Sequence, residues 1–133
     1  MTTMTIPADL ELTSPCYARS AINGMHSLNE LPLCGKLNLR GDSDNTLFTN
    51  AVSSVTGLEL PTAPNTSNAD LDSRLFWLGP DEWLLHCPIQ NVEQKAASLE
   101  SALGESHHSV TEVSDYYTVL RLSGPESENL IRR

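Results

Sequence analysis

The run Leu75-Phe76-Trp77-Leu78-Gly79-Pro80-Asp81-Glu82-Trp83-Leu84-Leu85-His86-Cys87 leaves the chain few choices. Two short segments rich in aliphatic and aromatic side chains are separated by four residues of turn chemistry, so the backbone reverses there as a hairpin. Pro80 pre-sets φ for the second turn position, and Asp81 can bond its own backbone. Trp77 and Trp83 therefore flank one turn. A hairpin cannot stand alone in water; it needs further strands or a helix against its apolar face.

The sequence around it supplies both. Lys36-Leu37-Asn38-Leu39-Arg40 alternates polar and apolar, the pattern of a half-buried strand, and Gly41 closes it. Asp42 or Ser43 is then placed to cap a helix carrying Leu47, Phe48, Ala51, Val52 and Val55 on one face, with Gly57 suited to a left-handed stop. Residues 58–73 read as a long loop in which Leu58, Leu60 and Pro61 tuck under the domain, while Pro64-Asn65-Thr66-Ser67 denies it regular pairing. Loops of this length often make contacts with other molecules.

Beyond the hairpin, Asn91 with Gln94 three residues on resembles a capping box, and Val92, Ala96, Leu99 and Leu103 form one stripe of a helix that Gly104 ends. Val110–Val113 and Tyr117–Leu122 read as two more strands. Gly124-Pro125 then starts a last helix, with Glu126 and Glu128 in its first turn. The order predicts an α+β fold: a mostly antiparallel sheet with helices on one face, built from split β-α-β units. Residues 35–133 form the domain. Residues 1–34 read as an extended N-terminal arm with Leu28, Leu31 and Leu33 available to dock, and its first dozen residues as disordered.

Composition narrows the function. At 133 residues the chain suits one domain able to bury roughly two-thirds of its unfolded surface without a disulfide staple. Seventeen Asp+Glu against 8 Lys+Arg give a formal net charge of −9, which repels nucleic-acid phosphates and anionic lipid. Cys16, Cys34 and Cys87 are odd in number and form no Cys-x-x-Cys pair, as expected of free thiols in a reducing compartment. With no basic n-region before an apolar stretch, and no apolar run long enough to span a bilayer, the expected location is cytoplasmic.

Few residues invite chemistry. His107-His108, with Glu105 and Glu112 nearby, offers metal-ligand types, but adjacent side chains on an extended segment diverge, so a polar loop is expected. Asp81-Glu82 is a carboxylate pair in an exposed turn, and Asp115 beside Tyr116-Tyr117 is a connecting residue. No phosphate-binding glycine motif occurs. The expectation is no catalytic residue, no metal ligand and no cofactor bound by this chain alone.

The words Asn65-Thr66-Ser67, the Gly79-Pro80-Asp81-Glu82-Trp83 hairpin and the strand ending in Leu39-Arg40-Gly41 stand in the order in which similar words stand in one family. On them the chain resembles the gamma subunits of the heterotetrameric sarcosine oxidases. The resemblance implies the first domain of the folate-binding aminomethyltransferase fold shared with the glycine-cleavage T-protein. It runs along nearly the whole chain but matches only the first two-thirds or so of the family pattern. The resemblance thus implies that the C-terminal part of the family pattern is missing where the chain stops at Leu130-Ile131-Arg132-Arg133, as a short natural version or as a truncated product.

The resemblance further implies a non-catalytic accessory subunit of an enzyme that oxidatively demethylates sarcosine to glycine, with hydrogen peroxide and methylenetetrahydrofolate as further products. Its partners would be alpha, beta and delta subunits. FAD, FMN, NAD, tetrahydrofolate and zinc would all belong to those partners. Candidate interface residues are Asn65, Thr66, Ser67, Trp77 and Trp83, one tryptophan packing beneath the hairpin and the other meeting a partner. The rival expectations are an independent folate-dependent aminomethyltransferase-like protein and a small binding module on the same fold.

Overall fold

The computed structural model describes residues 13–16 and 19–132. In chain order its elements are β1 (Ser27–Glu30), β2 (Cys34–Arg40), α1 (Thr46–Thr56), β3 (Ser67–Ala69), β4 (Arg74–Gly79), β5 (Glu82–Pro88), a 3-10 turn (Ile89–Asn91), α2 (Val92–Leu103), β6 (Ser109–Glu112), β7 (Leu120–Ser123) and α3 (Ser127–Ile131). They fall into two compact units: Leu33–Tyr117, and a smaller one combining the residues up to Pro32 with Thr118–Arg133. This grouping differs from the division expected at residue 34, because β1 and β7 pair with each other. The expected disorder of the first dozen residues concerns positions outside the described range.

The larger unit is a five-stranded sheet in the order β3-β4-β5-β2-β6, with every neighbouring pair antiparallel. Strand β5 and strand β6 are both antiparallel to β2, which lies between them, so β5-α2-β6 is a split β-α-β unit. By the same reasoning β2-α1-β4 is split by β5. Together they make the β-α-β-β-α-β arrangement of ferredoxin-like domains, with β3 added at one edge.

Register explains which face is buried. Leu37 stands opposite Leu85, Leu39 opposite Trp83, Leu75 opposite Leu85 and Leu39 opposite Val110. Alternation therefore gathers these side chains on one face. Phe48, Ala51 and Val52 of α1 and Val92, Leu99 and Leu103 of α2 belong to the same core, so both helices cover that face. Gly35 and Gly41 permit the close approach: a Cβ on Gly35 would lie 2.5 Å from Val92 Cβ, and one on Gly41 would enter the Phe48 ring. The opposite face carries Arg74, Phe76, Asn38, Leu84, His86 and Lys36. Lys36 is buried, and its ammonium donates to the Cys34 and Ser114 carbonyls.

Local chemistry departs from expectation at several ends. Asn45, not Asp42 or Ser43, caps α1: its side chain accepts from Leu47 N–H at 3.0 Å. Asp42 instead closes the preceding turn by accepting from Asp44 N–H at 2.8 Å, and Leu47 is exposed, off the buried face. Asn91 makes no side-chain cap bond because it already belongs to the 3-10 turn that runs into α2. Gly57 takes the left-handed conformation at φ 75°, as expected, and its N–H bonds the Ser53 carbonyl. Within the expected long loop, residues 67–69 form the edge strand β3.

In the smaller unit β1 pairs antiparallel with β7, Ser27 facing Ser123 and Glu30 facing Leu120. Strand β7 begins three residues later than its alternation suggests, and α3 starts at Ser127 with Glu126 as its cap. Thr118 Oγ1 donates to Glu30 at 2.7 Å. Hydrogen bonds from Ser14 and then Thr118 hold the Glu30 carboxyl below the usual carboxylate range. The same glutamate, accepting from Cys16, raises that thiol above its ordinary value.

Candidate functional site

The hairpin between β4 and β5 turns through Pro80-Asp81, with Gly79 opposite Glu82 and a bulge between Trp77 and Gly79. Its tip is fastened to β2. Arg40 Nη2 donates to Asp81 Oδ2 at 3.1 Å, Gly41 N–H donates to the Asp81 carbonyl at 3.1 Å, and Asn38 Nδ2 donates to Glu82 Oε1 at 2.9 Å. The adjacent acids thus serve the turn rather than each other. Arg40 and Asp81 are both more than half exposed, so the ion pair adds orientation more than stability.

Trp77 and Trp83 face each other across the hairpin, yet their surroundings differ. Trp83 is fully buried. Its ring lies 5.5 Å from that of Phe48, and its indole N–H donates to the Pro61 carbonyl at 2.7 Å. This corrects the expectation that Trp83 is an interface candidate: side chains of its own unit enclose the ring. Trp77 is half-buried and packs against the same core. Leu78 beside it is 49% exposed.

The Asn65-Thr66-Ser67 run forms a single device. Asn65 adopts the left-handed region at φ 59°, which asparagine tolerates better than other residues with a side chain. Thr66 Oγ1 donates to the Ala63 carbonyl at 2.6 Å, and its own carbonyl accepts from Trp77 N–H at 3.0 Å. Ser67 opens β3, and its hydroxyl accepts from Arg74 Nη1 at 3.2 Å. The turn therefore sets the entry of the edge strand beside β4, with Thr66 bonded to the backbone of Trp77 and Ser67 opposite Phe76. Asn65 and Thr66 are exposed.

A cleft of about 530 Å3 opens at the end of the sheet where the β4–β5 turn meets the residues after β2 and those before β6; Arg40, Asp42, Asp81, His107, His108 and Ser109 line it. His107 is exposed, whereas the His108 ring is enclosed. His108 Nδ1 lies 2.7 Å from the Ser106 carbonyl and Nε2 lies 2.9 Å from Glu100 Oε2. Burial opposes charge on this ring, but Glu100 and the Ser106 carbonyl outweigh it and lift its affinity for the second proton above that of an ordinary histidine. As imidazolium, with both nitrogens engaged, the ring offers no lone pair to a metal. Among the described residues no group of three or more His, Cys, Asp or Glu is placed to hold one.

Two further titrating groups lie in the sheet. Burial, then Lys36 and Arg74, pushes His86 below the ordinary histidine value, and its ring meets Phe76 edge-on at 5.0 Å. Burial raises the Cys87 thiol, so it is a poorer nucleophile at neutral pH. Sequence spacing had not placed Phe48 on Trp83, Pro61 under the indole, or Glu100 against His108. The first two join elements distant along the chain and the third spans eight residues across the end of α2; the expected tuck of Pro61 under the domain hinted at one of them.

Residues 40–133 match the model of the sarcosine oxidase, gamma subunit family. The chain is 32% identical over 111 residues to the sarcosine oxidase subunit gamma of Corynebacterium sp. strain U-96, covering 80% of this chain and 51% of that protein. It is 28% identical over 124 residues to the subunit of the same name from Corynebacterium sp. strain P-1, covering 92% and 60% respectively. A chain in the structure of the heterotetrameric sarcosine oxidase from Corynebacterium sp. U-96 in complex with pyrrole 2-carboxylate superposes with a TM-score of 0.79 at 28% identity, over 91% of this chain and 65% of that one. The chain thus spans between half and two-thirds of the length of these relatives.

Proposed function

The chain belongs to the sarcosine oxidase gamma subunit family, and from that premise we propose that it is an accessory, non-catalytic subunit of a heterotetrameric sarcosine oxidase. In this reading the assembled enzyme oxidatively demethylates sarcosine to glycine, forms hydrogen peroxide, and passes the one-carbon unit to tetrahydrofolate in the cytoplasm. Alpha, beta and delta subunits are the partners. They hold the FAD, FMN, NAD, folate and zinc.

The observation that carries the proposal is the agreement of sequence and fold over the same region: a family match across residues 40–133 and a superposition at TM-score 0.79. The geometry is compatible with a supporting role. The cleft's two ionised contacts, Arg40 with Asp81 and His108 with Glu100, are internal ties. The split β-α-β sheet supports assignment to the first domain of the aminomethyltransferase fold. Asn65, Thr66, Ser67 and Trp77, joined through the Thr66 carbonyl, are the proposed contact with a partner subunit.

Co-expression with alpha, beta and delta subunits tests the reading. Co-purification of this chain with the flavin-bearing complex, together with sarcosine-dependent peroxide formation, is the expected result. A chain that stays unbound while the other three subunits assemble into an active enzyme overturns it. Binding of tetrahydrofolate by the isolated chain would favour the aminomethyltransferase-like alternative.

A further inference from the structure

The connection from α2 to β6 holds one buried histidine between two acceptors. His108 Nδ1 faces the Ser106 carbonyl at 2.7 Å, and Nε2 faces the Glu100 carboxylate at 2.9 Å. A carbonyl and a carboxylate offer no proton of their own, so both contacts are hydrogen bonds only when the ring carries two N–H groups. The His108 side chain is 7% exposed, and that of Glu100 is 50% exposed. When the ring loses a proton, the two contacts therefore do not fail equally. The Ser106 carbonyl is fixed by the backbone of the connection and keeps its N–H from Nδ1, whereas Nε2 turns a lone pair toward the carboxylate and Glu100 moves out to water.

We propose that His108 is a pH-dependent tie between α2 and the connection that leads into β6: as imidazolium it bonds Glu100 and Ser106 together, and as neutral imidazole it keeps Ser106 and releases the Glu100 carboxylate. The charged groups around it are few. Glu100 comes from α2, and across the cleft stand Arg40 of β2, Asp42 after it and Asp81 of the β4–β5 turn; Glu105 and His107 belong to the same connection. Arg40 is already paired with Asp81, which leaves Glu100 as the carboxylate in hydrogen-bonding contact with the ring.

The direction of the pH effect follows from the raised proton affinity in the folded chain. The tie contributes fully below the ordinary histidine value of about 6.5. It is lost as pH rises through the higher folded value. Loss loosens the wall of the cleft that His108 lines and the first residues of β6.

The test is a titration of the histidine ring nitrogens in the full-length, isotope-labelled chain by NMR. Amide exchange of the β6 residues that pair with β2 is followed alongside, in the wild type and in Glu100→Gln. Wild-type His108 is expected to remain an imidazolium above the ordinary histidine value of about 6.5, then to become the Nδ1–H tautomer as β6 amides lose protection. In Glu100→Gln the ring should bind its second proton several-fold more weakly. The β6 protection should then be indifferent to pH across that range, because a glutamine amide can donate to the neutral Nε2. Glu100 is exposed on α2, so the variant is expected to fold, and far-ultraviolet circular dichroism checks that it does. The proposal is overturned if His108 titrates alike in both proteins, or if it is already neutral below the ordinary histidine value of about 6.5.

Discussion

Trp83 joins three parts of the larger unit through one side chain. Its ring fills the space beneath Phe48 of α1, and its N–H satisfies the Pro61 carbonyl in the loop that leads to β3. Replacing it by alanine removes one of the largest fully buried side chains in the described structure. We expect Trp83→Ala to cost about 3–5 kcal/mol in a denaturant titration. Trp83→Phe keeps an aromatic body against Phe48 but leaves the Pro61 carbonyl without its donor, for an expected loss of about 1–3 kcal/mol. Because the indole meets no solvent, the folded fraction of the phenylalanine variant should still associate with partner subunits. A folded Trp83→Phe chain that has lost association would contradict this assignment. The sequence had one tryptophan pack beneath the hairpin and the other meet a partner, and the register sets both on one face. Alternation did not distinguish the enclosed ring from the half-buried one, since Phe48 and Pro61 decide that and lie far from the hairpin along the chain.

At the level of elements the strong local signals were legible: the alternation of β2, the hairpin of β4 and β5, the apolar stripe of α2 and the glycines that stop both longer helices. The ends were less so, because several residues near a helix start compete for the same amide. Asp42 and Asn45 both precede α1, and the turn takes the aspartate while the helix takes the asparagine. Asn91 has the right chemistry for a cap but already lies in a 3-10 turn, with its side chain unused. The two asparagines therefore make a matched comparison. Asn45→Ala should lower stability by about 1 kcal/mol, and Asn91→Ala should stay within about 0.5 kcal/mol of the parent, both read from denaturation midpoints at constant m-value. Equal losses at the two sites would show that side-chain capping is not what fixes the start of α1. Strand β3 was illegible for a different reason: three residues are too few to show a period, and its partner, not its own sequence, makes it a strand.

Across the whole molecule, local patterns located three helices and five of the seven described strands, leaving out β1 and β3, which is enough for an α+β sheet with helices on one side. They did not tell which strands are neighbours. Strands β6 and β7 are adjacent in sequence, yet one pairs with β2 and the other with β1, because alternation specifies a face and leaves the partner to be chosen by the rest of the chain. The same holds for the proposed contact with another subunit, where a surface turn must be separated from a surface turn that also binds. Asn65 allows that separation, since its φ of 59° is a backbone demand independent of what its side chain touches. Glycine meets the demand at little steric cost, whereas alanine in the left-handed region costs roughly 1–2 kcal/mol. Asn65→Ala should therefore lower the stability of the isolated chain, with Asn65→Gly close to the parent. If Asn65 also meets a partner subunit, Asn65→Gly should weaken co-purification with the alpha, beta and delta subunits at unchanged stability. Full recovery of the complex with Asn65→Gly would reduce the Asn-Thr-Ser run to a turn that positions β3, and would move the search for the interface to Trp77 and the exposed Leu78 beside it.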